Sequence, residues 1–149
     1  MNIDRNEKLL SAWLKLTASL WNERMVMTMS FNEAFVLSLL SSNSKENPRC
    51  PMLTATALCE GTGLLKSQMN RTLNILEDKG YITRHKSSND KRVVFVTLTP
   101  TGRAAYLKEH EHILDVVDNI ATHIGSERTE EVSRALEDLA EATKHIERW

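Results

Sequence analysis

Apolar residues recur at intervals of three or four near the middle of the chain, between positions 64 and 79. This interval puts side chains on one face of a helix, so the stretch predicts an amphipathic helix with one buried side. Gly80 is expected to end it, because glycine tolerates the backbone conformation that follows many helices. The apolar positions are Leu65, Met69, Leu73 and Leu76.

The opposite face of this helix is polar and contains almost no acid before Glu77. Its side chains are short or forked groups that donate and accept hydrogen bonds, which suits the pattern that base edges display in a DNA major groove. They are Ser67, Gln68, Asn70, Arg71 and Asn74.

After Gly80 the apolar period shortens to about two, which is the period of a strand. Residues 81–84 read as one strand, and residues 93–98, rich in β-branched side chains, read as its partner. Residues 85–92 between them are polar turn-formers. They predict the exposed tip of a hairpin.

Long helices are predicted at both ends of the chain. The helical pattern of residues 4–27 would be roughly 36 Å long, more than a domain of this size needs for its own core, so part of it is expected to meet another chain. Thr99, followed by proline, predicts the start of a second long helix that Gly125 ends. Ser126 is expected to cap a last helix, whose apolar stripe runs nearly to position 149 and would also be docked.

Between the first helix and the central one, the pattern predicts two shorter helices. Ser30 and Glu33 have the spacing of a capping box, which opens a helix expected to end near Ser41. The polar stretch from there to residue 51 contains two prolines and predicts a loop. A short extended piece follows, and then a helix that begins near Thr54.

Basic residues are concentrated around the central helix and the hairpin. Residues 66–103 hold eight Lys or Arg and three Asp or Glu, a balance of +5, whereas the whole chain has a formal charge of −1. The rest of the chain therefore carries −6. A basic island in an acidic protein is typical of a surface that binds a polyanion.

Composition narrows the class of protein. The chain has 149 residues, which fits a single domain, and 41% hydrophobic and 26% charged residues, as in soluble globular proteins. The N-terminus has no apolar signal segment and no apolar run is long enough for a membrane span, so a cytoplasmic protein is expected. Cys50 and Cys59 are too few for a disulfide scaffold.

The motifs at residues 54–106 resemble the winged helix-turn-helix of the MarR family of bacterial transcriptional regulators. The most specific matches are the Asp-x-Arg of Asp90 and Arg92 and the Leu-Thr-x-x-Gly that ends at Gly102. The resemblance implies a mainly α fold with a small β-hairpin wing at 81–98. It also implies a winged lobe at 30–99 and dimerisation helices at 3–29 and 100–149, all in one MarR-like domain. Leu65 is a departure, because it stands where a Ser or Asp commonly caps the reading helix, a loss of about 1 kcal/mol.

The resemblance implies a homodimer that binds an inverted repeat in double-stranded DNA as a regulator, expected to be a repressor. Arg71 would bind guanine, and Gln68 or Asn70 adenine, in the major groove. Arg92 would enter the minor groove, oriented by Asp90. Lysines would bind phosphates. The expected DNA-binding residues are Lys66, Ser67, Gln68, Asn70, Arg71, Asn74, Arg84, Lys86, Asp90, Lys91 and Arg92.

The sequence does not decide between several signals that the protein could sense. The resemblance implies release by a small aromatic or lipophilic effector, for which the candidate pocket residues are Trp13, Met25, Met27, Met29 and Phe31. The cluster from Glu109 to His112, with His110, raises a zinc-sensing alternative, and Cys50 and Cys59 a redox one. No metal or other cofactor is nonetheless expected. Core packing is the simpler interpretation of the Met and aromatic residues.

The sequence also bears on two other functional classes, protein-interaction modules and enzymes. Winged helices also serve as protein-interaction modules, but an acidic or neutral wing would favour that, and this wing is basic. The sequence has no phosphate-binding glycine loop, nucleophile elbow or HExxH motif. No catalytic residue is therefore expected, and the protein is not predicted to be an enzyme.

Overall fold

The computed structural model describes residues 2–21 and 26–146, and of residues 20 and 21 the backbone alone. The chain divides into two compact units, Met1–His112 and Ile113–Trp149, and each is considered by itself. The described helices are α1 (Ile3–Trp21), α2 (Phe31–Glu46), α3 (Ala55–Thr62), α4 (Lys66–Asp78), α5 (Pro100–Ile124) and α6 (Ser126–Lys144), and the strands are β1 (Leu53–Thr54), β2 (Ile82–Lys86) and β3 (Val94–Leu98).

The fold class is confirmed, because helices dominate and the three strands form one small antiparallel sheet. The strand order is β1-β3-β2, so β3 lies in the centre. Arg84 pairs with Val96 and Lys86 with Val94 along the hairpin, and Leu53 of β1 pairs with Val96 from the other side. The predicted hairpin is thus present, with strands that begin one residue later than expected and a tip shorter than 85–92.

The core of the first unit lies where α2, α3 and α4 meet the sheet. Three of the four apolar positions predicted for the central helix are buried in it, namely Met69, Leu73 and Leu76. Leu65 is 61% exposed, so its assignment to the buried face was wrong. The reason is that α4 begins at Lys66 and Leu65 has an extended backbone. The fully buried partners are Val36, Leu37, Leu40, Leu58, Ile82 and Val96.

The start of α5 is fastened to the hairpin's base. Thr99 Oγ1 accepts a hydrogen bond from the Gly102 amide at 3.0 Å and donates one to the Gly80 carbonyl at 2.7 Å. A Cβ added to Gly102 would lie 2.0 Å from the Tyr81 carbonyl oxygen, so only glycine allows this contact. The predicted helix start at Thr99 is therefore confirmed, and the glycine of the Leu-Thr-x-x-Gly motif has a steric role.

Three helix boundaries differ from those predicted. α2 continues past Ser41 to Glu46, because Asn43 faces the following loop and donates to the Cys50 and Met52 carbonyls at 3.2 and 3.3 Å. The polar residues taken for a loop are thus partly helical. α1 is described as far as Trp21, and residues 26–30 are not helical, so the first helix does not reach residue 27 as predicted. Gly125, and not Ser126, is the N-cap residue of α6.

Residues 27–30, just before α2, are held by two buried glutamates. Glu109 of α5 is 0% exposed, and its carboxylate accepts hydrogen bonds from the Met27 amide and from the amide and hydroxyl of Thr28, the latter two at 3.0 and 2.7 Å. Glu33 accepts from the Ser30 amide at 2.8 Å and from Lys79 Nζ at 2.5 Å. The predicted capping box is confirmed, and its glutamate also ties α2 to the end of α4.

Burial would raise the pKa of both carboxyls, but their hydrogen bonds outweigh it. The pKa of Glu109 is held below its usual value by Met27 and Thr28, and that of Glu33 by Lys79 and Ser30. A carboxyl with a lowered folded-state pKa stabilises the fold above its ordinary pKa, and this contribution is lost as the pH falls through the folded-state value.

Apolar side chains are exposed on the terminal helices. On α1, each described side chain from Ile3 to Ser19 is exposed apart from Thr17, which is half-buried. On α6, Val132 and Leu136 lie exposed on the predicted stripe, and no residue is buried. Nothing in the described ranges of either unit covers these faces. In the described part of the chain, no helix combines the length and apolarity needed to cross a membrane.

We expect Glu109→Gln to lower the free energy of unfolding by about 1–3 kcal/mol at pH 7, because an amide cannot accept all of the hydrogen bonds that the buried carboxylate accepts. Urea denaturation measures this. Glu111→Gln, on the exposed side of the same helix, is the control and should change little.

The same pair of proteins tests the pH dependence. Between pH 6 and pH 3 the wild-type protein should lose more stability than Glu109→Gln, because only the wild type has to protonate the buried carboxylate. Equal losses would show that Glu109 contributes nothing through its charge.

Candidate nucleic-acid interface

One face of α4 is exposed along its whole length. The core takes Met69, Thr72, Leu73 and Leu76, and this leaves the polar side chains on the other side of the helix free to meet a ligand. All six predicted α4 contacts are exposed: Lys66, Ser67, Gln68, Asn70, Arg71 and Asn74.

Gln68 has a structural role that the sequence analysis missed. Its Oε1 accepts a hydrogen bond from the Leu65 amide at 3.0 Å. This is the reciprocal half of a capping box. It satisfies the backbone amide of the N-cap residue, Leu65, whose side chain has no oxygen that could cap the helix in return. The Leu65 departure is thus partly compensated, and the Gln68 side-chain NH₂ remains the group that could reach a base.

The tip of the hairpin is a compact turn. Ser87 and Val93 close it through a backbone hydrogen bond of 2.9 Å. The carboxylate of Asp90 accepts from the Arg92 backbone amide at 3.0 Å. In the described residues it forms no ion pair with the Arg92 guanidinium, so Asp90 fixes the backbone from which Arg92 projects and not the charged group itself. Lys91 and Arg92 are both exposed.

Arg84 is held between the hairpin and α4. Its Nε donates to Glu77 Oε2 at 3.0 Å, and its Nη2 donates to the same oxygen and to Asn74 Oδ1, the latter at 2.8 Å. The hydrogen bonds from Arg84 lower the pKa of Glu77. Two of the predicted DNA contacts, Arg84 and Asn74, are therefore bonded to each other here, and Glu77 was missed because an acid near a helix end resembles any solvated residue.

Five of the predicted contacts present uncompensated positive charge. Within residues 2–21 and 26–146, none of them lies within ion-pair distance of a carboxylate, in contrast to Lys79 and Arg84. Two lie on α4 and three on the hairpin, so the charge is shared by two adjoining elements. They are Lys66, Arg71, Lys86, Lys91 and Arg92.

The predicted effector residues do not gather into one pocket. Trp13 and Phe31 are exposed, at 48% and 53%. Met29 is buried and, with Met27, lines a hollow of about 340 Å³ that also contains Glu33 and Lys79. Met25 lies outside the described residues.

A second hollow, of about 460 Å³, was not predicted. Its lining is mostly apolar, with the half-buried guanidinium of Arg103 as its one charged group. Arg103 Nη2 donates to Ser44 Oγ at 2.7 Å, and no carboxylate in the described ranges pairs with it. The other lining residues are Pro51, Thr97, Leu98, Pro100, Ala104 and Leu107.

The structure describes the surroundings of the residues proposed from the sequence as alternative metal or redox sites. Glu109 is bound to Met27 and Thr28, and His110 stacks on Tyr106 with ring centroids 5.4 Å apart. No group of three or more potential ligands occurs in the described part of the chain. Cys50 and Cys59 are both free thiols, exposed and half-buried respectively.

Known proteins that are similar in sequence support the resemblance to the MarR family. The MarR family profile matches residues 28–93. The transcriptional regulator TcaR from Staphylococcus aureus is 31% identical over 114 residues, which cover 74% of this chain and 75% of TcaR.

Two solved structures share the fold. One is a mutant of MarR from E. coli complexed with operator DNA, with a TM-score of 0.73, 16% identity, and 93% of this chain and 99% of that one covered. The other is PcaV from Streptomyces coelicolor in complex with its natural ligand, with a TM-score of 0.74, 17% identity, and 96% and 97% covered.

These relatives are transcriptional regulators and not enzymes, and the basic helix and hairpin described above are the parts that such a regulator needs. The chain belongs to the MarR family of DNA-binding transcriptional regulators.

Proposed function

We propose that the protein acts as a homodimer on an inverted repeat in duplex DNA. The observation that carries this is the set of uncompensated cations shared by α4 and the hairpin. A helix of this width fits a major groove, and a two-fold axis would bring two such helices into successive grooves about 34 Å apart. The half-sites are therefore expected about one helical turn apart.

Within each half-site, α4 would read bases and the wing would hold the flanking backbone. Arg71 is suited to guanine and Asn70 to adenine, and the Gln68 side-chain NH₂, whose oxygen is bonded to the Leu65 amide, can donate to a base acceptor. Lys66, Lys86 and Lys91 would neutralise phosphates, which makes the affinity depend on salt. Arg92 would enter the minor groove beside the reading helix.

The dimer is supported by the exposed apolar side chains of α1 and of α6, taken separately. Apolar patches of this extent are rare on monomers and mark interaction surfaces. A second copy of the chain is the partner proposed for both. A dimer that covers two turns of a promoter would exclude polymerase, so repression in the bacterial cytoplasm is the proposed mode of action.

Release by a small molecule completes the proposal. The hollow around Arg103 offers apolar walls and one guanidinium without a carboxylate partner, a combination suited to a small organic anion. Such an effector would act by binding the DNA-bound and free conformations with different affinity.

Arg92→Ala should weaken binding to the operator by more than about tenfold and lower the salt slope by about 1, because one cation leaves the DNA. Fluorescence anisotropy at several salt concentrations measures both quantities. Arg49→Ala, an exposed arginine of the loop between α2 and β1, is the control for net charge. An Arg92→Ala affinity equal to that of the control would remove the wing from the DNA interface.

Trp13→Glu should raise the dimer dissociation constant by at least about tenfold, because it puts a charge where an apolar face would be buried. Sedimentation equilibrium measures it, and the wild type should show about twice the chain mass of 17.0 kDa. Lys15→Glu, on the same helix, is the control. A wild-type monomer at micromolar concentration would contradict the dimer.

Benzoate, as a probe anion, should weaken operator binding by the wild type and have little effect on Arg103→Gln. Benzamide, which has the same ring without the charge, should act on neither. The anisotropy assay at a fixed salt concentration measures these responses. If Arg103→Gln responds to benzoate like the wild type, the hollow around Arg103 is not the effector site.

A further inference from the structure

The contact between Glu77, Arg84 and Asn74 joins the two halves of the DNA interface. Asn74 and Glu77 stand three residues apart on one face of α4, and Arg84 reaches them from β2, where it pairs with Val96 of the central strand. A single guanidinium thus bridges the reading helix and the middle of the hairpin's first strand. Both of its bonds to Glu77 end on the same carboxylate oxygen, Oε2.

The charge of Arg84 is already neutralised in this contact. A guanidinium bound to a carboxylate would have to break that ion pair before it could neutralise a phosphate. The exposed cations Lys86, Lys91 and Arg92 carry no such cost. Arg84 is therefore poorly suited to be a phosphate contact and well suited to fix geometry.

The contact lies at the middle of β2, since Arg84 is the third of its five residues, and the orientation of the strand there determines where the tip lies. The tip lies about five residues beyond Arg84, or roughly 17 Å at the rise of a strand. A rotation of about 10° at residue 84 would displace the tip by roughly 3 Å, about half the width of a minor groove of roughly 6 Å. A small change in the orientation of the strand at residue 84 would thus move Arg92 out of register with the bases that α4 reads.

We propose that Glu77 is a positioning residue of the DNA interface: with Asn74 it locks Arg84, and so sets the angle between the wing and α4. This inference rests on the operator binding proposed above. It gives Arg84 and Asn74 a supporting role in place of the direct contacts expected from the sequence. The tie contributes specificity more than affinity, because random DNA does not require the two elements to be in register.

The test compares variants on an operator that the wild type selects from random DNA and on an unrelated duplex of equal length. Glu77→Gln should lower the ratio of operator to random affinity at least fivefold. Asp78→Asn is the matched control, since it removes the same charge one residue further along, from an exposed side chain that forms no hydrogen bond within the described residues. It should leave the ratio within twofold.

A double-mutant cycle separates positioning from phosphate contact. Arg84→Gln should lower the ratio as much as Glu77→Gln does, and the double variant should be no worse than either, because each change breaks the same tie. Arg84→Lys, which keeps the charge but cannot fork between Asn74 and Glu77, should give a smaller but measurable loss. Thermal unfolding should show that all these variants remain folded.

Two results would overturn the inference while the wild type still selects an operator. One is a Glu77→Gln ratio equal to that of Asp78→Asn. The other is a salt slope lowered by about 1 in Arg84→Gln, with losses that add in the double variant, since this would make Arg84 a phosphate contact. A wild type without sequence preference would instead overturn the proposed function and this inference together.

Discussion

The angle between α4 and the hairpin is the constraint on which the proposed DNA interface depends, and the ion pair between Glu77 and Arg84 bears on it most directly. Arg84 joins β2 to Asn74 and Glu77 of α4, and Glu77 borders the buried face of that helix. The sheet register carries this orientation to the tip, where Asp90 holds the backbone of Arg92. On the proposal made above, this tie holds the two elements that carry the five uncompensated cations in a fixed relative position.

Three glutamates connect the elements of the first unit through side-chain hydrogen bonds. Glu33 joins the start of α2 to Lys79 at the end of α4, Glu77 joins α4 to β2, and Glu109 joins α5 to the segment before α2. The helix α4, which we propose reads the DNA, is thus tied at its C-terminal end on two sides. One tie joins it to the next element of the chain and the other to α2, 46 residues earlier, so a change in either element can reach α4 through specific hydrogen bonds.

Much of this arrangement could be predicted from the sequence, because local pattern dictates it. The buried face of α4 follows from the spacing of Met69, Leu73 and Leu76, and the start of α5 follows from Thr99 and its proline. Once these residues are assigned to the core, the polar side chains on the opposite side of α4 must be exposed. Membership of the family rests on motifs that are themselves local.

The rest could not be predicted, because it depends on side-chain contacts between different elements, which the periodicity within one element does not reveal. Glu109 looks like one of several acids on an amphipathic helix, yet it is fully buried against Met27 and Thr28. The extra turn of α2 depends on Asn43 bonding to the following loop. Arg84 was expected to bind DNA because its charge is evident in the sequence, whereas its partner Glu77 is recognisable only once the hairpin folds back on α4.

We propose that α4 and the wing engage neighbouring grooves of one duplex in a fixed register. Dimethyl sulphate footprinting of a selected operator can detect this, since the reagent methylates guanine N7 in the major groove and adenine N3 in the minor groove. We expect protected guanine N7 flanked by protected adenine N3 about half a helical turn away, or roughly 5 base pairs, in each of two half-sites. Protection confined to one groove, or adenine protection at no fixed distance from the guanines, would contradict it.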